Sequence, residues 1–279
     1  MKTIRIGKQL ISVDKPLVMG ILNLTPDSFY DGGKYNDFAS AMTQIALMVE
    51  EGVDILDLGA FSSRPGAKMV PASKQISILR PVIEEVLKIY PELPLSIDTC
   101  YADVVHSLAE LTSFIVNDIS GAQWDDRLLD AVAQHKLPYV AMHIHGTPET
   151  MQDDPEYKDV CMEVLRYLAN LQIKLRKRGI TDVIIDPGFG FGKTIQHNYQ
   201  LLEKLEVFQI LQSPVLVGLS RKSMVYKPLN ITAAEALNGT TALHMMALSK
   251  GAGILRAHDV KEALETRNLW VQLQSSVNE

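Results

Sequence analysis

The chain has 279 residues, 47% of them hydrophobic, with 27 basic against 33 acidic side chains and a formal net charge of −6. One closed α/β barrel of roughly 250 residues accounts for that length as a single domain over 1–279, and the acidic balance argues against general binding to nucleic acid or anionic membrane, which rely on basic patches. Every apolar run breaks well short of the roughly 18 residues that span a membrane; Cys100 and Cys161 lack a C-x-x-C spacing and the N-terminus lacks a secretory pattern, so a cytoplasmic protein acting on small molecules is expected.

Residues 3–13 read as a small hairpin. Beyond it, short, nearly unbroken apolar runs alternate with longer segments of helical period, the pattern of parallel strands covered by crossover helices. Strands are expected at 17–22, 54–59, 95–98, 114–118, 139–143, 183–186, 215–218 and 253–256. Helical period is clear at 39–51, 74–89, 157–178 and 233–250. Eight strand-then-helix units favour closure, so the expected fold class is α/β: a (β/α)8 TIM barrel with a short N-terminal β-hairpin.

In such a barrel the loops after the strands carry the chemistry. Asn23, Asp57, Asp98, Asn117, Asp118, His143, Asp186, Ser220, Arg256 and His258 would all meet at one mouth. Asp98 and Asp186 offer paired lone-pair oxygens to the N–H donors of a flat heterocycle, and Asn117 and Lys222 add a donor and a cation. Taken singly, each acid reads equally well as a helix N-cap.

Arg64 after the second strand, and Arg256 with His258 after the eighth, supply two guanidinium forks and an imidazole, a set that suits pyrophosphate. Each alone would be a solvated surface charge. Asn23 offers an amide oxygen to Mg2+, which keeps waters while bridging phosphate oxygens; the plainer reading is an Asx turn before Pro26. Pro26, Gly32 and Gly33 imply a long first loop, made acidic by Asp27 and Asp31.

Two other patterns lead elsewhere. The run D-P-G-F-G-F-G-K-T suggests a nucleotide loop, but the first glycine of the Walker pattern would fall on Pro187, so that reading fails. His143 and His145, two apart, could face one zinc ion, but no third or fourth ligand is evident.

Eight ordered blocks carry a resemblance that runs over almost the full length. They are M-G-I-L-N-L-T-P-D-S-F-Y-D-G-G at 19–33, S-S-R-P-G at 62–66, S-I-D-T at 96–99, N-D-I-S-G at 117–121, M-H-I-H-G-T-P at 142–148, D-P-G-F-G-F-G-K-T at 186–194, G-L-S-R-K-S at 218–223 and L-R-A-H-D-V at 255–260. In these the chain resembles the dihydropteroate synthases. The resemblance implies condensation of 6-hydroxymethyl-7,8-dihydropterin pyrophosphate with 4-aminobenzoate to give 7,8-dihydropteroate and pyrophosphate in folate biosynthesis, with Mg2+ as cofactor and a homodimeric assembly.

By the same resemblance, Asp98, Asn117, Asp186 and Lys222 would hold the pterin ring, with Arg256 stacking near it. Asn23, through Mg2+, would bind pyrophosphate together with Arg64, Arg256 and His258. Phe29, Asp31, Ser63 and Pro65 would be brought to the aminobenzoate by the first two loops, with Phe191 and Ser223 lining its pocket from the opposite side. The catalytic set would be Asp31, Arg64, Lys222, Arg256 and His258. Pyrophosphate would leave first, because the dihydropterin can stabilise a cation and an arylamine is a weak nucleophile. Arg64, Arg256, His258 and Mg2+ would stabilise the departing charge, and Asp31 the transient cation. The aminobenzoate carboxylate would rest on the N-terminus of a helix beginning near Ser223.

Where the family usually reads G-G-E-S-T-R-P-G, residues 59–66 here read G-A-F-S-S-R-P-G. Ser63 keeps a hydroxyl and drops a methyl; Phe61 has no role in this reading. The rival is the pterin-binding module of a folate or corrinoid methyltransferase, which shares the ring-binding acids but needs no anion clamp; a non-catalytic pterin-binding relative is a third. Arg256→Ala is expected to cut turnover by orders of magnitude with little unfolding, as befits a rim residue.

Overall fold

In the computed structural model, which describes residues 2–24, 34–61, 69–147, 150, 151 and 155–277, the chain opens with β1 (Thr3–Ile6) and β2 (Gln9–Ser12) as an antiparallel hairpin. The apolar runs then become β3 (Leu17–Asn23), β4 (Ile55–Gly59), β5 (Leu95–Asp98), β6 (Ile115–Asp118), β7 (Tyr139–Met142), β8 (Val183–Asp186), β9 (Leu216–Val217) and β10 (Ile254–Ala257). These pair in parallel in the order β8-β7-β6-β5-β4-β3-β10-β9. A parallel bridge from Ile185 to Val215 joins the two ends and closes the ring.

Between the strands lie α1 (Lys34–Glu51), α2 (Ala72–Ile89), α3 (Ala102–Ala109), α4 (Leu128–Gln134), α5 (Val160–Lys177), α6 (Ile195–Glu203), α7 (Ser223–Tyr226), α8 (Leu237–Ser249) and α9 (Val260–Val277), with a 3-10 helix at Leu205–Leu211. α2 shows why such segments coil: Gln75, Ile78, Leu79, Val82, Ile83 and Val86 recur at three- and four-residue steps and are buried. Two starts are set by side-chain caps. Asp159 accepts from the amides of Cys161 and Met162 to begin α5, and Thr194 forms a capping box with His197 to begin α6. No described helix is long and apolar enough to cross a membrane.

Alternation along each strand divides the core in two. Outward residues such as Leu56, Leu58, Ile97, Val116 and Ile185 pack against the helices. Inward ones, Met19, Ile55, Ile115, Val140, Ile184, Leu216 and Ile254, form a separate apolar cluster inside the barrel. The hairpin completes that cluster with Ile4, Ile6 and Val13. It sits at the strands' N-terminal ends, where the Arg5 amide donates to Asp182 (2.9 Å) and the Lys2 ammonium to the Ser213 carbonyl (3.0 Å). The lower mouth is therefore plugged, and only the upper one is left for chemistry.

Some boundaries differ from expectation for identifiable reasons. α5 begins at Val160 rather than 157 because Asp159 caps it. α8 begins at Leu237 rather than 233 because Glu235 accepts from both the amide and the hydroxyl of Thr232, holding that stretch as a turn. The seventh barrel strand is only Leu216–Val217, with Val215 contributing the closing bridge.

Candidate active site

On four of the strands, two residues up from the apolar cluster, the inward position becomes polar. Asp57 follows Ile55, Asn117 follows Ile115, Asp186 follows Ile184 and Arg256 follows Ile254. Asp57, fully buried, is the hub. It takes the Arg256 guanidinium at 2.6 Å (Nη2) and 2.8 Å (Nε), and both its oxygens accept from the Asn117 amide at 3.2 and 3.3 Å. Arg256 also reaches Asp98 Oδ2 at 3.2 Å.

The other Asp98 oxygen, Oδ1, is buried with no hydrogen-bond partner among the described residues. Burial, reinforced by Asp57 and Asp118 and opposed by Arg256 and Lys222, pushes the Asp98 carboxyl up to about 7. Burial also raises Asp186, against the pull of Lys222 and the Gly188 amide, which donates to its Oδ1 at 2.7 Å. Lys222 is drawn down to about 8, again chiefly by burial. Its ammonium donates to the Phe189 carbonyl at 2.5 Å and lies 4.4 Å from the centre of the Phe191 ring.

On the rim, His258 is exposed and its Nδ1 lies 3.2 Å from the Ser220 hydroxyl. Desolvation and the adjacent Arg256 charge lower its imidazole to about 4. Arg221, at φ +55°, grips Asp259 through Nε (2.8 Å) and Nη2 (2.7 Å), locking the loop before Lys222 to the loop after His258. Asn23 stands exposed at the end of β3. A Cβ on Gly59 would meet both Asn23 Oδ1 (3.4 Å) and Asp98 Cβ (3.3 Å), so the glycine lets these two side chains approach.

Asp98, Asn117, Asp186, Lys222 and Arg256 thus gather at the same end of the barrel, with His258 and Asn23 at its edge. Phe191 is buried beneath Lys222, and half-buried Ser223 opens the single turn of α7. That turn offers free amides but little of the helix dipole invoked for a carboxylate. Phe29, Asp31, Ser63, Arg64 and Pro65 lie outside the described residues. His143 Nδ1 is 2.9 Å from the buried Lys193 side-chain nitrogen, and no group of three potential metal ligands occurs among the described residues.

One expectation is overturned. Arg256 is no loose rim charge: its side chain is 14% exposed and paired with two carboxylates exposed by 0% and 3%. Its removal would strand buried acids, which destabilises as well as inactivates. The sequence reading also missed Asp57 as the hub, Lys193, and the Arg221–Asp259 clasp. Only Asp57 left a signal, a charge at an inward position two residues beyond Ile55.

A family model described as pterin binding enzyme matches residues 19–258. The dihydropteroate synthase of Escherichia coli (strain K12) is 41% identical over 257 residues, covering 91% of this chain and 90% of that one. That of Haemophilus influenzae is 38% identical over 266 residues, covering 95% and 96%. Among solved structures, the Yersinia pestis dihydropteroate synthase with a sulfonamide drug complex superposes with a TM-score of 0.92 at 36% identity, covering 98% and 99% of the two chains. The Xanthomonas albilineans dihydropteroate synthase in complex with 7,8-dihydropteroate gives 0.86 at 34% identity, covering 98% of each.

Proposed function

This chain belongs to the dihydropteroate synthase family, and on that premise we propose that its upper barrel mouth joins 6-hydroxymethyl-7,8-dihydropterin pyrophosphate to 4-aminobenzoate, releasing pyrophosphate. The observation that carries the assignment of residues is the unpartnered, buried Asp98 Oδ1 beside Asn117, Asp186 and Lys222. A buried acceptor without a donor costs stability unless a ligand completes it, and a pterin edge brings adjacent N–H donors. Asp98 and Asp186 accept from the ring, Asn117 and Lys222 complete its edge, and Arg256, held by Asp57, lies against it.

The methylene carbon–oxygen bond breaks first, its electron pair leaving with pyrophosphate. The arylamine nitrogen then attacks the resulting pterin cation and gives up a proton to solvent. Arg64, Arg256 and His258 stabilise the leaving charge, and Asp31 the cation. The share of Arg256 is preorganised, since it is already fixed by two carboxylates. Asn23, an exposed amide oxygen at the mouth, fits a hard cation that retains most of its waters. Mg2+ there would neutralise diphosphate charge. Phe29, Ser63, Pro65, Phe191 and Ser223 surround the aminobenzoate.

A cytoplasmic homodimer belongs to the same proposal. Exposed Leu269 and Leu273 on α9, and Met246 on the neighbouring α8, supply apolar surface for it, and sedimentation equilibrium tests it. The activity is tested by pyrophosphate release from the pterin diphosphate with and without aminobenzoate and Mg2+. Release dependent on the first two substrates is expected; binding of pterin without release contradicts the reading.

A further inference from the structure

The loop between β8 and α6 carries a lysine that the site described above does not use. Lys193 is 2% exposed, and its ammonium has three close acceptors: the Gly188 carbonyl (2.9 Å), the Phe191 carbonyl (2.9 Å) and His143 Nδ1 (2.9 Å). In its protonated form the ammonium has three protons, one for each of these acceptors, although burial pulls Lys193 down to about 7. His143 can only be an acceptor there as a neutral ring, and burial followed by the Lys193 charge lowers it to about 2.

The loop is pressed onto the β7 end so closely that two glycines are obligatory. Gly188 and Gly192 have φ of +73° and +62°. A Cβ on Gly188 would overlap the His143 carbonyl oxygen, and one on Gly192 would fall 2.6 Å from His145 Cβ. The opposite side of the same loop belongs to the site. Its Phe189 carbonyl takes the Lys222 ammonium (2.5 Å), and its Phe191 ring lies under that ammonium at 4.4 Å. The carbonyls at 188 and 191 thus turn to buried Lys193 and that at 189 to half-buried Lys222. Phe191 also packs with Phe61, Ile119, Met142, Ile144 and Met151 in a small apolar cluster at the mouth.

We propose that Lys193 is a positioning residue for the condensation: by holding the Gly188 and Phe191 carbonyls from behind, it fixes where the Phe191 ring stands at the aminobenzoate end of the mouth. The proposal rests on the reading of Phe191 as a wall of the aminobenzoate pocket. Lys193 touches no substrate. Its action is transmitted through the loop backbone, and its loss lets that wall move.

The test compares Lys193→Met and Phe191→Ala with the unaltered enzyme, measuring KM for each substrate, kcat, and thermal unfolding. Lys193→Met is expected to raise KM for aminobenzoate by about tenfold, the scale of one or two lost hydrogen bonds, with kcat changed by less than about threefold at a temperature where the variant is fully folded. Phe191→Ala is expected to raise the same KM. If Lys193→Met is insoluble, Lys193→Gln, whose amide keeps two N–H donors without the charge, is measured in its place. A lowered unfolding temperature with KM unchanged makes Lys193 purely structural and overturns the proposal. An impaired Phe191→Ala beside an unimpaired Lys193 variant overturns the positioning role alone. An unimpaired Phe191→Ala overturns the assignment of Phe191 to that pocket, and the route proposed for Lys193 with it.

Discussion

The floor and the mouth of the barrel are built on the same strands, about 6.6 Å apart, with opposite chemistry. At the floor, Ile55, Ile115, Val140, Ile184, Leu216 and Ile254 close on the hairpin's Ile4, Ile6 and Val13 in an apolar cluster, with the buried Ser96 hydroxyl beside Ile115 as a polar exception. At the mouth, Asp57, Asp98, Asn117, Asp186 and Arg256 satisfy one another incompletely, leaving Asp98 Oδ1 without a donor. One two-residue step therefore separates the part that stabilises the barrel from the part that spends stability on readiness for a ligand. Stability and activity should respond to substitutions at different heights on the same strand.

The largest separation is expected between Arg256 and Ile184. Arg256→Ala should lower kcat/KM by about 100- to 1000-fold, as removal of a preorganised charge donor does, and should also lower the unfolding temperature; pyrophosphate release and calorimetry read the two effects. A stable Arg256→Ala enzyme would restore the simple rim picture. Ile184→Ala, two residues below Asp186, should cost about 2–5 kcal/mol in urea unfolding while KM stays within about twofold. A comparable loss of substrate affinity would show that floor and mouth are not separable.

Asp98 sharpens the comparison through pH. Its folded value is raised from 3.8 to about 7, so the folded protein holds the proton more tightly than the unfolded chain. The stabilising contribution of that proton is complete below about pH 3.8 and is lost as pH rises through about 7. A ring that presents N–H donors needs the ionised form, so binding of the unphosphorylated pterin alcohol should weaken about tenfold per pH unit below that midpoint. Asp98→Asn should flatten the limb; a limb that survives belongs to another group.

Smaller effects are expected at the clasp and the surface. Arg221→Ala and Asp259→Ala should each raise KM about fivefold, and the double variant no more than either, as for one shared interaction; additive losses would show that the two act separately. Lys88→Ala removes only an exposed ion pair with Glu85 and should shift stability by less than about 0.5 kcal/mol.

The barrel was legible because its strands are unbroken apolar runs and its helices keep strict spacing; β5 and β8 fall on their expected bounds, 95–98 and 183–186. The site was legible as a set of strand-end residues, since Asp98, Asn117, Asp186 and Arg256 owe their meeting to the barrel itself. What could not be read was pairing across the barrel. Asp57 joins Asn117, 60 residues away, and Arg256, 199 residues away, and no local pattern encodes either bond. Lys193 was hidden for a related reason: next to three glycines it looks like a nucleotide loop, and only the fold turns its ammonium inward against His143. Helix starts were missed where side-chain oxygens compete with the backbone, as at Asp159 and Glu235.

Isothermal titration of the unphosphorylated pterin alcohol into the unaltered protein and into Asp98→Asn, at a pH where the carboxylate is ionised, addresses the ring-binding role directly. A buried carboxylate that waits for the ring's donors should make the variant bind at least about tenfold more weakly, the scale of a charge-assisted hydrogen bond. Equal affinity in the two proteins would mean that the pterin does not meet Asp98.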